Sequence, residues 1–138
     1  MVSKNFDISE FKCPCCGKVI VHPILVDRLQ RIADHFQQVV IINSGYRCSK
    51  HDVEVGGNGV GAHTMGIASD IHIPGVKSWD IAKYAECMGF GGIGIISEYD
   101  IHLDIRDLSG YDIAGFDYTN NKWYGNEITG ENYNTFQE

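Results

Sequence analysis

Apolar residues recur with helical spacing between His22 and Gln38: Leu25, Leu29, Ile32 and Phe36 fall at i, i+4, i+7 and i+11 of HPILVDRLQRIADHFQQ, with polar residues between them. This periodicity predicts an amphipathic helix, and Pro23 suits its first position, where a missing N–H costs no helical hydrogen bond. The pattern then shifts. The β-branched run VVIINSG, 39 to 45, reads as a buried strand ending at Gly45, and SKHDVEVGG reads as a short helix capped by Ser49 and stopped by Gly56 and Gly57. Glycines at 56, 57, 59, 61 and 66 make the next stretch a loop. IASDIHI, 67 to 73, returns to strand alternation, and SWDIAKYAECMG, 78 to 89, to a helix with Ile81, Tyr84, Ala85 and Met88 on one face. GIGIIS and DIHLDIR follow as two more strands, paired as a hairpin. From Asp107 the chain is rich in Asn, Gly and Tyr. A short strand around Trp123 and Tyr124 is expected there, with mobile last residues and no catalytic role. Intermixed helices and strands of this kind make an α+β fold, read as one domain over 1–138 with 107–138 a peripheral C-terminal extension.

Composition narrows the classes of function. A chain of 138 residues with 43% hydrophobic content can bury a core, and a formal charge of −7 leaves no basic patch for nucleic acid or an anionic membrane. No run of about 18 apolar residues occurs, so no membrane span is expected. The opening MVSKNFDISEF lacks an apolar h-region. The expectation is therefore a protein made in the cytoplasm without a signal peptide, acting outside only if something else releases it. Five cysteines, three of them crowded in KCPCCGK (Cys13, Cys15 and Cys16), read as reduced thiols or metal ligands rather than a disulfide framework. A closed structural zinc site there needs a fourth ligand, for which Cys48, Cys87 and His22 are the candidates; free thiols packed in a turn are the alternative.

Candidate chemistry lies in two other segments. In GAHTMGIASDIH, 61 to 72, His63 sits in a glycine-bounded loop and Asp70 on the strand that follows. In SEYDIHLDIR, 97 to 106, strand alternation puts Glu98, Asp100, His102 and Asp104 on one face and Ile101, Leu103 and Ile105 on the other. A solvated strand face explains either segment alone. Two polar-faced strands, each beside glycine-rich sequence, favour a metal site. Two histidines and one carboxylate leave a coordination position open for water, which is the arrangement of a catalytic rather than a structural zinc and suits amide hydrolysis.

NFDISEF…CPCCG, INSGYRCSKHDVEVGG, GAHTMGIASDI and GFGGIGIISEYDIHLDIR, in that order from about residue 5 to 106, closely resemble the zinc D-Ala-D-Ala carboxypeptidase family, especially its short bacterial and phage members. The resemblance implies the fold shared with the hedgehog signalling domain: a small, mostly antiparallel sheet with helices packed on one side. It implies Zn2+ held by His63, Asp70 and His102, and an arginine, Arg47 beside Tyr46 in SGYR, that meets substrate or transition-state negative charge. Relatives often carry the general base two or three positions before the last zinc histidine. Position 99 is Tyr99 here, so Asp100 is the first choice and Glu98 the second. Asp104 resembles the carboxylate of the family's H-x-D and suits an orienting role behind His102. Many relatives have Ser where this chain has Gly61, so carboxypeptidase and endopeptidase both stay open. His72 and His51 read as bystanders.

The implied function is hydrolysis of an amide bond involving a D-amino acid in peptidoglycan stem peptides or their precursors. The implied setting is a phage or prophage lysis enzyme, acting as a monomer. The alternative is a non-catalytic, zinc-containing, hedgehog-like binding module.

Overall fold

The computed structural model describes residues 3–57, 59, 61–114 and 116–137. Pro23 opens the first helix, α1 (Pro23–Phe36), and the His22 side chain caps it: Nδ1 accepts from the Ile24 amide at 3.1 Å while Nε2 donates to the Ser109 carbonyl at 3.0 Å. Leu25, Leu29 and Ile32 are fully buried on its inner face, and each contributes about 1.5–3 kcal/mol by leaving water. Helices α2 (Ser49–Glu54) and α3 (Ser78–Cys87) complete the helical set among the described residues, with two short 3-10 helices at Ile8–Phe11 and Ala62–Met65.

Six strands form one sheet: β1 (Ile41–Ser44), β2 (Ala68–His72), β3 (Gly92–Ile95), β4 (Ile101–Asp104), β5 (Asn121–Tyr124) and β6 (Glu131–Asn132), in spatial order β1-β2-β4-β3-β5-β6. All neighbours pair antiparallel except β3 and β5, which run parallel. Alternation divides the sheet into two faces. Ile71, Ile95 and Ile101 pair across one row and Ile93 and Leu103 across the next; all are buried against α1 and α3. On the opposite face a single row runs Ser44, Asp70, His102, Gly94, Trp123. The fold thus spends one face on its core and keeps the other for polar chemistry.

Several expectations are corrected. The run 39 to 45 gives an edge strand with Ile41 and Asn43 exposed, because β1 has a neighbour on one side only. Ser49 is the first residue of α2 and not its cap; its hydroxyl donates to the Gly59 carbonyl at 2.8 Å, and Cys48 holds the N-cap position. Helices do not all lie on one side. Helices α1 and α3 cover the apolar face, whereas α2 and the 3-10 helix carrying His63 join the polar face through Asp52, Arg47 and Asp70. The segment after Asp107 is built in more deeply than its composition predicts. It supplies β5 and β6, and Phe136 is fully buried beside Trp79, its amide donating to Glu86 at 2.8 Å. Only Glu138 of the expected mobile end lies outside the described residues.

Gly92 and Gly94 alternate with Ile93 and Ile95, so the polar face of β3 has no side chains. Asp104 and the Trp123 ring occupy that space, and a Cβ at position 94 would overlap the indole. Gly94→Ala therefore displaces Trp123 and is expected to cost about 1–3 kcal/mol, read from the shift of the denaturant midpoint. An unchanged midpoint would show that the indole has room to move.

Candidate metal centre

The row across the polar face places Asp70 directly opposite His102, and the 3-10 helix Ala62–Met65 brings His63 over both. Gly66 makes that approach feasible. It sits at φ +72°, and its open α-carbon lies against the Ile20 backbone, where a side chain would collide. His63 Nε2 lies 3.3 Å from Asp70 Oδ1, and His102 Nδ1 lies 3.0 Å from the same oxygen. The ligand atoms of His63, Asp70 and His102 all fall within 4.8 Å of one another.

Each ligand is steadied from behind. His63 Nδ1 is 2.8 Å from the Gly45 carbonyl, which accepts its proton and frees Nε2 to coordinate. His102 Nε2 donates to Asp104 Oδ2 at 2.8 Å, leaving Nδ1 toward Asp70. The second Asp70 oxygen accepts from Arg47 Nη2 at 3.2 Å, while Arg47 Nη1 reaches the buried Asp52 at 3.1 Å and Nε reaches Ser44. Oriented rings, each with its second nitrogen bonded, and a carboxylate between them fit a metal cation.

Charge at the centre follows from this packing. Burial opposes ionisation of Asp70, but hydrogen bonds from His102 and His63 outweigh it and hold its carboxyl well below the usual carboxylate range. Burial likewise opposes the charged form of His102, yet Asp104 and Asp70 on either side push its pKa up to about 9. Without a cation the imidazole carries that positive charge itself, so a metal bound at Nδ1 displaces a proton.

Asp104 is fully buried and cannot reach solvent. Besides His102 it accepts from Arg106 Nε at 2.9 Å, Arg106 Nη2 at 2.8 Å and the Arg106 amide at 3.0 Å. Arg106 in turn reaches Glu127 at 2.8 Å, and its guanidinium carbon lies over the rings of Phe116 and Trp123, 5.8 and 5.7 Å from their centroids. A cavity of about 570 Å3 opens beside His63 and His102, walled by Asp52, Gly61, Arg106, Phe116, Asn126 and Glu127 among others. The C-terminal segment therefore forms part of the wall of the site.

His63, Asp70, His102, Arg47 and Asp104 come together, while Glu98 and Asp100 are placed apart from that group. Strand β4 begins at Ile101, because Ser97 to Asp100 turn back on themselves with Ser97 Oγ donating to Asp100 at 2.8 Å. Glu98 stands at the exposed tip of this hairpin and pairs with Lys77 at 3.4 Å. Asp100 accepts from Asn43 at 3.0 Å, and Asn43 also contacts His72 at 2.7 Å. Burial first, then the thiols of Cys16, Cys48 and Cys13, raise the pKa of Tyr46. Arg106, Trp123, Glu127 and Asp52 are additional parts of the site. Of these only Arg106 has a sequence signal, being in step with His102 and Asp104 at period two.

The fold and site together define a mixed α/β protein with a His-Asp-His candidate metal centre at a cavity wall. Residues 4–104 match the model of the family described as Peptidase M15, and the chain belongs to that family. Membership supports a metallopeptidase, and M15 peptidases are typically zinc-dependent. No curated protein matches the chain at a significant level. Among the described residues no helix is long and apolar enough to cross a membrane.

Proposed function

We propose that the chain is a zinc-dependent peptidoglycan peptidase that hydrolyses an amide bond involving a D-amino acid in stem peptides. The observation that carries this reading is the convergence of His63, Asp70 and His102, each held by a second hydrogen bond, in a chain of the M15 family. Zinc bound there supplies a water of lowered pKa and polarises the scissile carbonyl.

The chain's own residues do the rest. Asp104 and Gly45 hold the two imidazoles in their coordinating orientation. Arg47 fixes Asp70 and places positive charge where negative charge develops on the substrate. Asp100, which makes no direct contact with His63, Asp70 or His102, accepts the proton of the attacking water through an intervening water. It lies two positions before His102, its carboxylate is 45% exposed, and Asn43 and Ser97 orient it.

An endopeptidase fits the cavity better than a carboxypeptidase. A terminal carboxylate needs a free cation, and Arg106, the one arginine or lysine lining the cavity among the described residues, is already paired with Asp104 and Glu127. Gly61 likewise offers no hydroxyl at that wall. A cell-wall lysis role, in phage or prophage, accords with such an activity.

Mass analysis of purified wall peptides incubated with the protein, with and without chelator, tests this reading. The expected result is a new pair of peptide ends at a D-residue junction, abolished by chelation. A metal-loaded protein that leaves every peptide intact would instead be a binding module. Asp100→Asn is expected to lower kcat by about 10²- to 10⁴-fold with metal content unchanged. A wild-type rate in that variant would remove Asp100 as the base.

A further inference from the structure

The cysteines of the opening segment are left unused by the centre described above. The turn from Cys13 to Lys18 is tightly made: the Cys13 amide donates to the Lys18 carbonyl at 2.8 Å, and the Gly17 amide returns to the Cys13 carbonyl at 2.9 Å. The fold then brings Cys48 to it from a distant part of the chain. The sulfurs of Cys13, Cys16 and Cys48 lie within 4.8 Å of one another, and Cys15, exposed on the same turn, has its pKa raised first by the Cys48 thiol. The Cys48 amide donates to the Cys13 sulfur at 3.4 Å. Amide donors aimed at a sulfur stabilise thiolate, the form that binds metal.

Cys48 also holds the N-cap position of α2 but makes no side-chain cap hydrogen bond. The thiol is therefore not engaged by the helix end. The other candidates for a fourth ligand are excluded by place. His22 uses both ring nitrogens at α1 and Ser109, and Cys87 is exposed on α3 beside Gln137.

We propose that Cys13, Cys15, Cys16 and Cys48 form a second, structural zinc site that clamps the N-terminal turn to the start of α2. Four thiolates close the coordination sphere and leave no position for water, so this site has no hydrolytic chemistry. Its consequence is positional. Cys48 follows Arg47 directly, and Arg47 bridges Asp52 and Asp70, so the clamp fixes the backbone from which the guanidinium reaches the Asp70 carboxylate.

The two sites are separable by variant. The full chain, purified under reducing conditions, is expected to carry about two zinc per chain by elemental and native mass analysis, with about one in His63→Ala and about one in Cys48→Ser. Serine is a better cap than cysteine, so Cys48→Ser does not threaten α2. Cobalt-loaded His63→Ala is expected to show sulfur-to-metal charge-transfer absorption that disappears when Cys48→Ser is added. An unchanged metal content in Cys48→Ser, a cobalt spectrum without charge transfer in His63→Ala, or a disulfide involving Cys48 in the reduced preparation would each overturn the proposal. None of these outcomes depends on peptidase activity.

Discussion

Asp70→Asn is expected to abolish stoichiometric zinc binding at the His63 centre and to reduce the proposed wall-peptide hydrolysis to background, with the fold retained. The substitution keeps the side chain's size in a position opposite His102 but removes the charge that both imidazoles and Arg47 face. Substitution of a metal ligand's outer partner alone costs about 10- to 100-fold in affinity, so loss of the ligand itself is expected to exceed about 100-fold. The variant also relieves the field that raises the His102 pKa, so His102 titrates nearer the ordinary imidazole range. Elemental analysis reports the metal, and mass analysis of digested wall peptides reports the activity. Chelator-insensitive hydrolysis in Asp70→Asn would sink the assignment of His63, Asp70 and His102 as the catalytic metal site.

Strand alternation makes part of this centre readable without a structure. Asp70 and His72 on one strand, and His102 and Asp104 on another, mark two polar faces, and a glycine-bounded loop marks His63. What alternation lacks is register. That Asp70 meets His102 and not Asp104 is set by how β2 and β4 slide against each other, which depends on matching Ile71 to Ile101 in the core. The same rule fails at Glu98, because period two holds only while the chain is extended and the Ser97–Asp100 turn ends that extension.

Other features escape for different physical reasons. The run VVIINS is as apolar as a central strand, but burial depends on how many neighbours pair with it, and β1 has one. Trp123 and Glu127 carry no spacing signal; the parallel pairing of β3 with β5 delivers them to Arg106. Arg106 itself continues the face of His102 and Asp104. Its role becomes evident once Asp104 is seen to be sealed from solvent and in need of a cation. Cys48, one of three candidates offered by the sequence for KCPCCGK, is separated from Cys87 and His22 only by the fold, which sets the start of α2 on the N-terminal turn.

Asp104→Ala is expected to destabilise the metal-free protein by about 3–5 kcal/mol, the range for stripping one member from a buried ion pair. Asp104 and Arg106 are 0% and 3% exposed at their side chains, so the pair is little screened by water. Removing the carboxylate leaves the Arg106 amide, part of its guanidinium and His102 Nε2 without their acceptor, with Glu127 as the remaining anion on Arg106. Glu127 is 40% exposed and compensates weakly. Urea unfolding in the presence of chelator measures the loss free of metal linkage. The double variant Asp104→Ala with Arg106→Met should recover part of it, because the uncompensated buried charge is then gone. A loss below about 1 kcal/mol in Asp104→Ala would place the pair among surface interactions and remove the argument that it anchors His102. Zinc affinity gives the functional counterpart: Asp104→Ala lowers it by about 10- to 100-fold, because His102 loses the acceptor that fixes its ring.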